Sequence, residues 1–303
     1  MKRTIIFLFT VLFTATGALA QANLWTEFDV RTQATTTRDF SAIPAVIIGK
    51  DDRINITNKA AGPEKAAIII EKDGRLWCSG ALVGKNLVLT AAHCLYSNTT
   101  FQKKLKVYAV GLPPQLTPAT ARKEAPKNKA EQTSALLAQR LMAKAAAKEY
   151  LSANVIKTVV PKAYISAIHK QSNNVREESL HDYGILVLDT DLGDKTGWLK
   201  MAVPSDAQLK NAAVTLIGRG QDKPSKTLWK SSGQVGRVEA EFIYHNADFV
   251  AGNSGSPLLF SKDLSTVIGV NIVERNAAFL GEYKNVALRI NQAVLNSLQH
   301  LKN

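Results

Sequence analysis

Beyond residue 66 the chain is cut into short, strand-length pieces, and that cutting leaves few folds open. Ala67–Ile70, Leu82-Val83, Leu87–Thr90 and Lys106–Val110 are β-branched or aliphatic runs. Asp73-Gly74 and Gly84-Lys85-Asn86 punctuate them with turn formers. The pattern resumes with Val155–Val160, Ile185–Leu188, Ala213–Ile217, Val238–Ile243, Pro257–Phe260, Val267–Ile272 and Val286–Ile290. Runs this short suit strands that bury one face and turn back, which predicts an all-β sandwich or barrel. The chain closes on a predicted helix, Asn291–Leu301, whose apolar stripe is Val294, Leu295, Leu298 and Leu301.

Three segments break the rhythm. Lys2 and Arg3 precede an apolar run from Ile5 to Phe13, and Ala18-Leu19-Ala20 follows. A charged start, a short apolar stretch and small residues form the layout of a secretory signal peptide, expected to be cleaved after Ala20. The alternative, a membrane anchor, meets the difficulty that the run is short for a span. Residues 21–45 are polar and rich in Thr and Ala, and read as a pro-segment or a mobile lead, with the first strand-like run at Val46–Ile48. Between residues 112 and 150, Pro113, Pro114, Pro118 and Pro126 mark a loop, and Ser134–Leu151 reads as an amphipathic helix. Basic residues outnumber acids in this insertion, which reads as a solvated face or as a binding surface for an anionic polymer or membrane.

The formal net charge is +13 over 303 residues, about two domains' worth of chain. A hydrophobic content of 46% can build a core and excludes a wholly disordered chain. No long apolar stretch follows the leader, which excludes a polytopic membrane protein. Cys78 and Cys94 are the only cysteines. Export places them in an oxidising compartment, where one disulfide is expected. Two cysteines alone make a poor metal site.

Three stretches carry chemistry: Leu89–Cys94 around His93, His181–Val187 around Asp182, and Ala251–Pro257 around Ser254. A serine hydroxyl needs an adjacent base to become a nucleophile. Histidine titrates near neutrality and suits that task. A carboxylate must hold the imidazole's tautomer, and backbone N–H groups must receive the developing oxyanion.

These stretches resemble those of trypsin-fold serine proteases, and within them the bacterial glutamyl-endopeptidase, or V8-like, branch. The resemblance rests on Cys78-Ser79-Gly80-Ala81 through Ala91-Ala92-His93-Cys94, on His181-Asp182-Tyr183-Gly184, and on Gly252-Asn253-Ser254-Gly255-Ser256-Pro257. Ile47–Arg53 and Asp222-Lys223-Pro224 with Leu228-Trp229 point to the bacterial branch. The likeness runs over residues 46–303, the insertion excepted. It implies two antiparallel six-stranded β-barrels with the site in the cleft between them. It implies His93 as general base and acid, Asp182 as its orienting carboxylate, Ser254 as nucleophile, and the N–H groups of Gly252 and Ser254 as oxyanion hole, with no cofactor or metal. His93 and Asp182 would come from the first barrel and Ser254 from the second.

The sequence departs from the branch at the specificity pocket. A substrate-contacting histidine of glutamate-specific relatives falls at Asn271, and a pocket threonine or serine near Phe249. Asp248 stands six residues before Ser254, where trypsins carry the pocket-floor aspartate, and Glu274 would line the rim. A carboxylate in the pocket would favour Lys or Arg at P1. Asn253 replaces the aspartate that pairs with a freed N-terminus in animal trypsins, so that activation switch is not implied. The reading is an exported serine endopeptidase acting on proteins or peptides, in the periplasm or outside the cell. It is not an integral membrane protein and has no specific nucleic-acid partner. The rival is a catalytically silent trypsin-like protein that binds anionic surfaces.

Overall fold

The computed structural model describes residues 25–29, 47–116, 148–170, 175–274 and 281–299. The first barrel is built from β2 (Ala67–Lys72), β3 (Arg75–Leu82), β4 (Leu87–Thr90), β5 (Leu105–Tyr108), β6 (Ser152–Pro161) and β7 (Gly184–Leu188), with β1 (Trp25–Asp29) added outside. All neighbours pair antiparallel in the order β1-β6-β7-β4-β3-β2-β5. Pairing of β5 with the start of β6, Val107 against Ala153, closes six of them into a barrel. Closure removes two sheet edges that would otherwise expose unpaired N–H and C=O groups.

The second barrel contains β8 (Ala213–Gly218), β9 (Trp229–Val238), β10 (Phe242–His245), β11 (Pro257–Phe260), β12 (Asp263–Glu274) and β13 (Asn285–Arg289). It closes through antiparallel pairing of β12 with β13. Ile68, Leu82, Leu89, Val107 and Leu186 are buried in the first barrel. Val214, Leu216, Val235, Ile243, Leu258 and Ile268 are buried in the second. Each such side chain contributes about 1.5–3 kcal/mol of burial. The C-terminal helix α2 (Gln292–Gln299) follows α1 (Lys162–His169) in chain order and buries Val294 and Leu298.

Several expectations need correction. The lead at 21–45 is not devoid of strand, because β1 pairs with β6, Trp25 opposite Pro161. Strand addition uses main-chain hydrogen bonds, so a polar composition does not forbid it. Ile47 and Ile48 are not a strand. The run Val238–Ile243 is two strands, with Glu239–Glu241 forming the turn between β9 and β10. Most of β9 was hidden because its sequence, WKSSGQVGRV, is largely polar. Helix α1 went unread. The helix expected over Ser134–Leu151 falls mostly outside the described residues, but its end is wrong: Lys148-Glu149 pair with Gln115-Leu116 as a short antiparallel ladder. The leader 1–20 also lies outside the described residues. No helix among the described residues is long and apolar enough to cross a membrane.

Cys78 on β3 and Cys94 beyond β4 form a disulfide, with Cα atoms 6.2 Å apart. The bridge straps the His93 turn to β3. In a chain-entropy account, removing a bridge over a loop of this size lowers stability by about 3 kcal/mol. Denaturant unfolding of the Cys78→Ala/Cys94→Ala variant is expected to show that loss. An unchanged midpoint would mean the turn is held by packing alone.

Candidate active site

Strands β4 and β7 are antiparallel neighbours, with Thr90 opposite Gly184. The end of one and the start of the other therefore lie at the same edge of the first barrel. His93 sits in the 3₁₀ turn Ala92–Cys94 just after β4, and Asp182 lies two residues before β7. Sheet register alone brings together two residues far apart in sequence. Asp182 Oδ2 lies 2.7 Å from His93 Nδ1, and Oδ1 accepts the backbone N–H of His93 at 2.9 Å. The double contact fixes both the turn and the ring. Asp182 is acceptor-only when ionised, so Nδ1 carries the proton and Nε2 is left as the basic nitrogen. Nε2 is buried without a hydrogen-bond partner among the described residues. Burial pulls the His93 pKa down, and the charge of Asp182 and its hydrogen bond raise it by more, leaving it above the ordinary value.

Ser254 comes from the loop between β10 and β11 of the second barrel and is 2% exposed. A first-barrel residue holds this loop. Ser79, on β3, donates its N–H to Ser254 O at 2.9 Å and its hydroxyl to Gly252 O at 2.7 Å. Its Oγ also accepts the N–H of Arg219 at 2.8 Å, and its carbonyl accepts the Thr90 hydroxyl at 2.7 Å. Cys94 Sγ lies 3.8 Å from Ser254 O, so the nucleophile loop rests against the residue following His93.

Two glycines let the loop come this close. Gly255 has φ +82°, and a Cβ there would collide with Thr90 Oγ1 and Ser79 O. Gly252 has φ +93°, a conformation that side chains disfavour. Among the described residues, no hydrogen bond is made by the N–H of Gly252 or of Ser254. Asn253 ties the loop internally: its Oδ1 accepts the Val250 N–H at 3.0 Å, and its N–H donates to Val250 O at 2.9 Å.

The expected pocket residues divide. Phe249 is fully buried in the apolar core of the second barrel, packed with Leu258 and Ile268. Asn271 is also buried and its side chain is spent internally. Nδ2 donates to Ser256 O at 3.0 Å, and Oδ1 lies 2.7 Å from His245 Nε2, which must therefore carry the proton. Asn271 O accepts the Gly255 N–H at 2.7 Å, so this residue steadies the nucleophile loop. Asp248 is 3% exposed; Oδ1 accepts the Ile48 N–H at 2.8 Å, and Oδ2 is buried with no partner among the described residues. Burial raises its pKa. Glu274 ends β12, and its side chain lies outside the described residues. The sequence singles out neither Ser79 nor Arg219 and offers a signal only for Ser79, its place in the disulfide-histidine stretch; His245 reads there as a surface or packing histidine.

Asp189, just past the end of β7, accepts the N–H and side-chain amide of Asn154. His169 bonds the Tyr96 hydroxyl. Cys78, His93 and Cys94 are the one close group of three candidate metal ligands among the described residues. Both sulfurs are spent in the disulfide and His93 Nδ1 faces Asp182, so the group is no cation site.

Two closed barrels, in a chain that matches a trypsin-like peptidase domain, mark a serine endopeptidase. Residues 78–270 match the trypsin-like peptidase domain, and the chain belongs to that family. It is similar to a glutamyl endopeptidase of Bacillus licheniformis, 24% identical over 260 residues, covering 85% of this chain and 69% of the relative. An extracellular metalloprotease of Bacillus subtilis is 22% identical, covering 86% and 71%. The fold is shared with a solved Glu endopeptidase in complex with MPD: TM-score 0.61, 22% identity, covering 85% of this chain and 99% of that one.

His245 is fully buried, and desolvation lowers its pKa to about 4. An unfolded chain takes up that proton near pH 6.5, so this residue's contribution to stability is present above about 6.5 and lost as pH falls toward 4. His93, shifted the other way, acts oppositely. Urea unfolding at pH 7 and pH 4.5 is expected to show a smaller acid loss in His245→Gln than in the parent. Equal losses would assign the acid sensitivity elsewhere.

Proposed function

We propose that the chain is an exported serine endopeptidase in which His93, Asp182 and Ser254 form the catalytic triad. The observation that carries this is the twofold contact of Asp182 with His93, which leaves Nε2 basic and without a partner among the described residues, in the turn whose Cys94 touches Ser254 O. In this mechanism Ser254 Oγ attacks the peptide carbonyl while His93 Nε2 takes its proton. The N–H groups of Gly252 and Ser254, unspent among the described residues, receive the oxyanion. The tetrahedral intermediate collapses, His93 gives the proton to the leaving amine, and an acyl ester remains on Ser254. Water, deprotonated by His93, hydrolyses that ester and restores the serine. Asp182 stays ionised and stabilises the imidazolium. Export is supported by the leader and by a disulfide, which persists in oxidising compartments.

For P1 we assign Lys or Arg, supported by the buried Oδ2 of Asp248, which has no partner among the described residues. The Ile48 N–H holds the other oxygen, so this segment must shift, as processing near Val46 would allow, before a substrate cation reaches the carboxylate. A peptide-library digest by the mature chain is expected to show cleavage after Lys or Arg. Ser254→Ala should lose about 10⁴-fold or more, the scale of triad losses generally. Asp248→Ser should lower turnover of basic P1 peptides about tenfold relative to others. Cleavage after other residues would discard the pocket assignment; cleavage undiminished by Ser254→Ala would discard the triad.

His93 must be neutral to accept the serine proton, so kcat/KM falls as pH drops through its pKa. Because Asp182 holds that pKa above the usual histidine value, the acid limb is expected above about pH 6.5. Asp182→Asn should move the limb to lower pH and reduce kcat steeply. A limb at the same pH in both proteins would count against the pair.

A further inference from the structure

Arg219 follows β8 directly and is 9% exposed, an unusual setting for a guanidinium. Its backbone is pinned, the N–H donating to Ser79 Oγ at 2.8 Å. Its head group lies against the loop that carries Ser254: a Cβ placed on Gly252 would come within 2.6 Å of Nη1 and 3.4 Å of Cζ. The cation therefore sits over the residue whose N–H is assigned to the oxyanion hole. Among the described residues it has no hydrogen bond and no ion pair. The acid that acts on it most, Asp222, is already held by both terminal nitrogens of Arg53. Arg53 in turn is gripped by Asp51, which also takes Lys223. The neighbouring charges are thus matched to one another, and Arg219 is left over.

A cation so desolvated is normally paired. Arg219 keeps 9% of its surface exposed, beside the loop that carries Ser254. Burial disfavours its charge, and an incoming carboxylate would reverse that penalty. Arginine's planar fork suits two parallel hydrogen bonds to a carboxylate.

We propose that Arg219 is a specificity residue that takes an acidic substrate side chain at P2, P1′ or P2′, next to the scissile bond. The assignment rests on the Ser254 site proposed above. Substrates combining a basic P1 with an adjacent acid would then match the two buried charges, Asp248 and Arg219, at once.

The test uses peptides with Lys at P1 and either Glu or Gln at P2, P1′ or P2′, cleaved by the mature chain, its Arg219→Gln variant and its Arg219→Lys variant. The parent is expected to prefer Glu over Gln about tenfold or more at one position, the scale of a charge-assisted contact. Arg219→Gln should bring that ratio near one, and Arg219→Lys should retain part of it. A parent ratio near one at all three positions overturns the proposal, and this needs no variant to fold. So does an unchanged ratio in Arg219→Gln, or an equal loss on Glu and Gln peptides, which would make Arg219 a support of the oxyanion loop. Ser254→Ala separates the two failures. If it still cleaves, the underlying site is wrong; if it does not and no ratio is seen, only the Arg219 assignment falls.

Discussion

At the candidate site, one fully buried serine ties the two barrels together. Ser79 belongs to the first barrel, yet three of its four hydrogen bonds reach the second: to Ser254 O, to Gly252 O and from Arg219 N–H. The fourth ties it back to Thr90, which precedes the His93 turn. A group this deep must be satisfied, since each unmade hydrogen bond there costs about 1–3 kcal/mol. The same network that satisfies it also sets the distance between nucleophile loop and histidine turn. Hydrophobic contact carries no direction, so packing does not by itself set the register of the two loops. Directed hydrogen bonds supply the missing register.

Around that hub the site is over-determined. Asp182 grips both the backbone and the ring of His93. The disulfide straps the same turn to the strand carrying Ser79. On the other side, Asn253 closes the nucleophile loop on itself, and Asn271 ties it to β12. His245 behind Asn271 extends the support one layer deeper. This arrangement explains how the loop keeps its shape without the aspartate that trypsins place before the nucleophile. An amide at Asn253 makes an internal bond where a charge would demand a partner.

The three chemistry-bearing stretches were legible because each is a local string: a histidine after an apolar strand, an aspartate before one, a serine between glycines. Most barrel strands were legible for a similar reason, since β-branched runs announce themselves. Strand β9 did not, because a strand exposed along much of its length needs no apolar alternation. Trp25–Asp29 did not, because edge pairing draws on the backbone. Phe249 and Asn271 were assigned to the pocket by likeness to glutamate-specific relatives, and a likeness in sequence cannot tell an inward side chain from an outward one. Both point into the barrel, one to fill its core and one to bond His245.

By itself, the sequence determined the all-β class, the cysteine pair and the residue types able to run acyl transfer, because these depend on local propensity and chemical identity. Only the tertiary structure decided which groups meet. Thr90 faces Gly184 through sheet register, and His93 thereby meets Asp182. Ser79 reaches Gly252 across the barrel junction, and among the described residues Arg219 has no ion pair, Asp222 being held by Arg53. Such pairings join residues tens to hundreds of positions apart, and their energy depends on distance and burial, which exist only once the chain has closed both barrels.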